Sequence, residues 1–256
     1  MRKALGMLAG LCLLQGVAQA GRRPFLYSFD VPTVSEGDVE IETWLDYLDR
    51  WRFWWGPRWS PVDGVEVMAL TSFQQEESGG GSVLWAELLE TRWRSRPTVA
   101  GSLMLQLDLR IAIAHGLPHQ IQPQVGWVKR AGRVVASAQV GYARGFEGEA
   151  PTKDYDWITW RGGVAFDAIR GEVSAPLQIG VEAFGEGVIN GANDLSTTIE
   201  RMPGELLVLV HKGSTANVGP TMSVARGRLW LTAGMLFGLT NDSPDVFVRA
   251  IIGLAL

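Results

Sequence analysis

Charged side chains of both signs recur at even spacings in stretches that are otherwise apolar. Glu40, Glu42 and Asp46 fall in one such stretch, Arg52 and Arg58 in the next, and Asp108 and Arg110 in a third. Glu66, Glu90, Arg92, Arg94, Glu182 and Arg249 are placed in the same way. In an extended chain, residues two apart point to the same side, so each set shares a face. Opposed acidic and basic walls can orient a polar solute at a constriction. The same groups, paired with one another, can instead fill a narrow interior as a salt-bridge network, because buried charges must be paired. Both readings stay open at this level.

Other chemistries find less support. His115, His119 and His211 are the only histidines. His115 and His119 are four apart, but "HGLPH" holds Gly116 and Pro118 and reads as a turn, so the two rings do not share a helix face as zinc ligands would. No serine and acid group themselves around a histidine in any recognisable spacing, and the chain is read as a non-enzyme. "GANDLS" 191–196 and "TNDSPD" 240–245 lack the ordered spacing of a calcium loop and serve as turn formers. Gly79-Gly80-Gly81 has no following Lys-Ser/Thr and is not a phosphate loop. No metal and no cofactor are expected.

The elements that carry these charges are strands. In "SLMLQLDLRIAIA" 102–114, one face is Leu103, Leu105, Leu107, Leu109, Ile111 and Ile113, and the other is Met104, Gln106, Asp108, Arg110 and Ala112. The chain closes on "VFVRAIIGLAL" with the same code: Val248, Ala250, Ile252, Leu254 and Leu256 form an apolar face, and Arg249 stands on the other. Segments 38–47, 51–58, 65–73, 134–142, 173–183 and 229–239 repeat it, while 82–95, 118–130 and 153–169 are less regular. Glu87 interrupts the apolar face of 82–95, which suggests a bulge. The strands are long for a soluble sheet and match the ~9–11 residues that a tilted strand needs to span a bilayer.

Connections alternate between short ("PVDG" 61–64, "SRP" 95–97, "RAG" 130–132, "RGE" 170–172, "RG" 226–227) and longer or polar ("QQEESGGGS" 74–82, "HGLP" 115–118, "EGEAPTK" 147–153, "TNDSPD" 240–245), with the longest over 185–216. Short periplasmic turns and long external loops give this asymmetry. Tryptophans 44, 51, 54, 55, 59, 85, 93, 127, 157 and 160 lie near strand ends, as interfacial girdles do. A soluble sandwich would carry a denser polar face. The fold expected is all-β: one up-and-down antiparallel transmembrane β-barrel over 37–256, of about twelve strands. If 186–200 and 204–213 pair as a further hairpin, the count is fourteen.

The opening "MRKALGMLAGLCLLQGVAQA" has a basic start, an apolar run and an Ala-x-Ala end, and reads as a signal peptide over 1–20. Cys12 follows Leu11 rather than a small residue, which argues against lipidation, and it is the only cysteine, so no disulfide is available. Beyond residue 20 there are 21 basic and 27 acidic side chains, a formal charge of −6, which disfavours nucleic acid. Residues 21–36 are expected to be a periplasmic arm, or to tuck into the barrel on the alternating Phe25, Tyr27 and Phe29.

The final strand resembles the C-terminal signature of bacterial outer-membrane β-barrels, although Leu256 stands where an aromatic residue is commoner. "GDVEIETW" 37–44, "VGPTMSVARGRLWLTAGMLFGL" 218–239 and "RAIIGLAL" are similar to a family of uncharacterised proteobacterial outer-membrane proteins. The resemblance implies location in the outer membrane and a barrel fold, and names no substrate. The strand alternation, read as a barrel, places Glu40, Glu42, Asp46, Arg52, Arg58, Glu66, Asp108, Arg110, Glu182 and Arg249 in the lumen. Leu103, Leu105, Leu107, Leu109, Ile111, Ile252, Leu254 and Leu256 then face lipid. Arg249 needs an acidic partner, with Glu40 and Glu42 nearest across the closure. The function expected is a narrow channel or passive transporter of small solutes. A non-conducting structural or adhesion barrel comes second, and a lipid-modifying enzyme third. The partners are outer-membrane lipid, the barrel-assembly machinery and small solutes.

Overall fold

In the computed structural model, the described residues are 23–28, 34–47, 50–75, 81–113, 119–146, 156–169, 177–190 and 214–256. Twelve antiparallel strands run through them: β1 (Val39–Tyr47), β2 (Trp51–Val62), β3 (Val65–Gln75), β4 (Ser82–Arg94), β5 (Ser102–Ala112), β6 (His119–Ala131), β7 (Val134–Phe146), β8 (Asp156–Ile169), β9 (Leu177–Asn190), β10 (Thr215–Arg226), β11 (Leu229–Gly238) and β12 (Val246–Ala255). Each pairs with its neighbours in sequence, and β1 pairs with β12, so the sheet is a closed barrel. Closure runs from Glu40 opposite Ala255 to Tyr47 opposite Val248. The Leu256 amide donates to the Val39 carbonyl at 2.9 Å, so the last residue is tied into the wall. Closure matters in lipid because no water is there to satisfy an open edge.

The count is twelve among the described residues, since β9 pairs directly with β10 from Glu186–Thr215 to Leu177–Val224. Residues 191–213, with the second half of the alternative hairpin, lie outside the described residues, as do residues 1–20, where the signal peptide is expected, His115, His211 and "GANDLS". Three tight reversals have glycine where φ is positive: Gly64 between β2 and β3 at φ 79°, and Gly132 between β6 and β7 and Gly227 between β10 and β11, both at φ 59°. Two-residue hairpin turns of this kind require a left-handed residue, which glycine supplies without a Cβ clash.

The alternation reads as two chemically distinct faces. In β1, Glu40, Glu42, Trp44 and Asp46 are buried while Leu45 and Tyr47 are exposed. In β5, Leu103, Leu105, Leu107 and Ile111 are exposed and Leu109 is partly so. Ile252 and Leu256 are exposed and Leu254 half-buried. Charge is therefore inside and apolar surface outside, the reverse of a water-soluble sandwich. Tryptophan divides between the two. Trp51, Trp55, Trp59, Trp93, Trp127 and Trp160 are exposed, whereas Trp44, Trp54, Trp157 and Trp230 are buried. The expected girdle thus loses Trp44, Trp54, Trp85 and Trp157: strand parity sends Trp44 and Trp54 inward beside Glu42 and Asp46, and Trp85 packs against the interior cluster.

The irregularity of 82–95 has a local cause. Ser72 pairs with Ala86 but the next residue, Phe73, pairs with Leu84, leaving Trp85 as an extra residue in β4. The bulge changes parity, so outward positions are even before it (Leu84) and odd after it (Glu87, Leu89, Trp93). It is pinned by Ser72, whose Oγ donates to the Ala86 carbonyl at 2.9 Å and accepts from the Ala86 amide at 3.0 Å. Proline makes a second pattern. Pro57, Pro123 and Pro220 lack an amide donor, and pairing skips across them on β2–β3, β6–β7 and β10–β11. These strands stand four apart around the ring, so the three gaps are evenly distributed.

Candidate functional site

The interior is occupied by residues 23–28, which are not part of the wall. Phe25 and Leu26 are fully buried, and Arg23 is only 2% exposed. The anchor is Glu182 on β9. Its Oε2 accepts the Leu26 amide at 2.8 Å, and its Oε1 accepts the Tyr27 amide at 2.8 Å and the Ser28 amide. Three consecutive amides converging on one carboxylate form a backbone nest, a strong charge-assisted arrangement. Thr221 and Thr232 donate to the carbonyls of Pro24 and Arg23, and Arg161 donates to the Tyr27 carbonyl at 3.3 Å. The Val34 amide donates to Glu66 Oε1 at 3.1 Å.

The wall is shaped to receive this segment. A Cβ at Gly163 would lie 2.6 Å from the Phe25 ring, and one at Gly234 would lie 2.8 Å from Leu26. Phe25 sits in a small apolar cluster with Val128, Val135 and Ala165. Tyr27 stacks on Phe184 with ring centroids 4.0 Å apart, and the Arg249 guanidinium lies 4.0 Å from its centroid.

Below this seat, toward the end where Val39 and Ala255 lie, β1, β2, β3 and β4 build a cage of charges. Arg58 Nη2 lies 2.9 Å from Glu42 Oε1, and Arg23 Nη2 lies 3.0 Å from the same oxygen. Glu66 Oε2 lies 3.7 Å from Arg58 and 3.5 Å from Arg92, and Arg92 also meets Glu90. Trp44 Nε1 donates to Glu42 at 2.9 Å and Trp230 Nε1 to Glu40 at 3.2 Å. Gln106 joins the cage to Asp108, with Nε2 at 3.0 Å from Glu90 and 2.7 Å from Asp108. Gln124 donates to the other oxygen of Asp108 at 2.7 Å.

Above the seat the chemistry changes. Arg52 lies over the Trp85 ring at 3.9 Å, and Arg110 lies 5.6 Å from Trp54 and 5.5 Å from Trp85. The two indoles meet edge to face at 5.7 Å. The lumen is therefore tiered: an ion-paired cage holding Glu42, Glu66 and Glu90 toward the Val39 and Ala255 end, and Arg52 and Arg110 against Trp54 and Trp85 toward the other.

Arg249 finds its acid in Asp46, not in Glu40 or Glu42. The two are direct cross-strand partners, and Asp46 accepts from Nε at 2.6 Å and from Nη2 at 2.8 Å. Glu40 and Glu42 sit opposite Ala255 and Gly253, nearer the chain-terminal end. The structure thus brings Glu42, Arg58 and Glu66 together and pairs Asp46 with Arg249. It ties Asp108 to the cage through glutamine, and holds Glu182 against the arm. Arg52 and Arg110 stand with aromatic rings. Sequence reasoning did not find Gly163 and Gly234 as seats, Trp230 as part of the cage, or the glutamine links. An inward glycine on a barrel strand was the available signal for the seats. His119 Nδ1 accepts the Ala112 amide at 3.1 Å, so this ring helps hold the top of β5.

A closed up-and-down barrel with an apolar outside and a polar, charged inside is the architecture of an outer-membrane β-barrel. Solved structures agree on this fold. The chain is similar to the COG4313 outer membrane channel from Pseudomonas putida F1, with TM-score 0.61, 10% identity, and coverage of 91% of this chain and 100% of that one. It is similar also to the KdgM porin (TM-score 0.55, 8% identity, 85% and 99% covered) and to the NanC porin (TM-score 0.56, 7% identity, 85% and 100% covered). No protein-family model matches the chain. No curated protein sequence matches it either.

Proposed function

We propose that this protein is a narrow outer-membrane channel for small solutes, closed in the present state by residues 23–28. The observation that carries the reading is a polar, charge-lined lumen occupied by a segment outside the wall, held by side-chain contacts such as those of Glu182 and Glu42 rather than by strand pairing. Such a plug can leave without breaking the barrel. Likeness to channels and porins supports the reading at the level of fold. Export by the signal peptide at 1–20, folding by the barrel-assembly machinery, and lipid around Leu103, Leu105, Leu107, Ile111 and Ile252 complete it, and we read the protein as a non-enzyme.

The test is conductance of purified, folded protein in planar bilayers. Wild type should show rare or small openings. Gly163→Leu, which fills the Phe25 seat and leaves every charged residue in place, should raise open probability several-fold. If neither protein conducts while both keep the heat-modifiable gel mobility of a folded barrel, the channel reading fails. The second reading, a non-conducting structural barrel, draws on the same cage, because its carboxylates and guanidinium groups already satisfy one another.

A further inference from the structure

Among the described residues, Arg23 is the charged member of the cage that the wall does not supply. Glu42, Glu66 and Glu90 face Arg58 and Arg92 from the strands, and Arg23 enters from the arm to make the third cation. Without it, three carboxylates face two guanidinium groups from the wall. Glu40 adds a further carboxylate at 1% exposure, bound to Trp230. The seat is more than a cluster of acids, because a guanidinium is visibly bound in it. Arg23 Nη2 meets Glu42 at 3.0 Å, and its Cζ lies 5.7 Å from the Trp230 ring. Trp230 is itself placed by the wall: a Cβ at Gly253 would fall 2.1 Å from the indole, so only glycine leaves room for the ring there. A carboxylate at the edge and an indole alongside suit a planar, weakly hydrated cation better than a compact ammonium.

We infer that the Glu42–Glu66–Trp230 seat is a binding site for a guanidinium-bearing solute in the lumen, and that Arg23 is its intramolecular occupant while the arm is in. The inference rests on the channel reading for its solute. The arm then closes the channel by presenting the group that the site recognises. Withdrawal of 23–28 exposes a site with a deficit of positive charge, and a solute carrying a guanidinium restores the balance.

The test uses full-length protein and methylguanidinium as probe, with tetramethylammonium as the control cation. Arg23→Ala should unfold at a lower temperature than wild type, and methylguanidinium should recover part of that loss where tetramethylammonium does not. Its apparent affinity for Arg23→Ala should exceed that for wild type by about tenfold or more, because the resident competitor is gone. The double variant R23A/E42Q should lose that gain. If Arg23→Ala does not fold, Glu182→Gln serves, since it loosens the arm at its other anchor and should let the probe compete with Arg23. No preference for methylguanidinium over tetramethylammonium in the folded variant overturns the inference. In bilayers, methylguanidinium should reduce potassium current through Arg23→Ala and not through R23A/E42Q. Conducting variants without discrimination between the cations remove the site and leave the channel. Probe binding with no conductance in any variant removes the channel and leaves the site.

Discussion

Asp46 and Arg249 show how much a single residue can be asked to do. The pair joins the first strand to the last with two short hydrogen bonds, and it holds the Tyr27 ring under the guanidinium. Side-chain exposure is 9% for Arg249 and 1% for Asp46, so each charge depends on the other. Removing one partner of a buried pair leaves an uncompensated charge and costs ~3–5 kcal/mol. Asp46→Ala should lose stability of that order, read from urea unfolding in lipid vesicles. D46L/R249M should recover most of it, because an apolar pair leaves no orphaned charge; failure to recover would assign the cost to the Tyr27 contact instead. The charge and its face were legible in the sequence, because period-two spacing fixes which side a residue points to. The partner was less so. Closure register is set by where β12 stops against β1, and that offset places Arg249 opposite Asp46 rather than against Glu40 or Glu42.

At the scale of the element, β4 is the most instructive strand. The extra residue at Trp85 turns an inconsistent face into two consistent halves and sends Trp85 to the interior beside Trp54. Glu87 stays on the outer face, where its Oε2 accepts a hydrogen bond from Thr71 Oγ1 at 2.7 Å. A carboxyl on a lipid-facing wall carries a desolvation cost that one hydroxyl partner offsets only in part. Glu87→Leu should therefore raise stability in vesicles by roughly 1 kcal/mol, and an unchanged or lower value would mean that another group meets Glu87 in the membrane. Glu87 made the bulge legible, but its position was not: a bulge shifts parity upstream of the residue that betrays it. The proline gaps on β2, β6 and β10 were equally invisible as a set, because their even spacing exists only once the strands are numbered around a ring.

At the scale of the whole molecule, the wall and the arm are separable. The twelve-strand ring is held by ladder pairing between every two neighbouring strands, and none of the described pairs involves residues 23–28. Fold class and an even strand count were legible because hairpins repeat and β1 begins at the end where β12 stops, while the choice between twelve and fourteen strands was not. The interior was legible only as a list of charges, since contacts such as Leu26 to Glu182 span 156 residues and no local pattern encodes them. Separability makes a prediction that neither a pure plug-stabilised barrel nor a rigid pore shares. R23A/E182A removes two charged anchors of the arm, leaving the ladder and the Thr221, Thr232 and Arg161 hydrogen bonds in place. It should still fold to a closed barrel with normal heat-modifiable mobility. The arm should become sensitive to a protease that cuts after aromatic residues, at Phe25 and Tyr27, and the barrel strands should stay resistant. Loss of the folded band would mean that the arm is part of the folding nucleus. Protease resistance of the arm would mean that Phe25 in the Gly163 seat and Tyr27 on Phe184 hold it without the charges. In the expected case, the polar contacts set the closing equilibrium and the apolar ones set only where the arm rests.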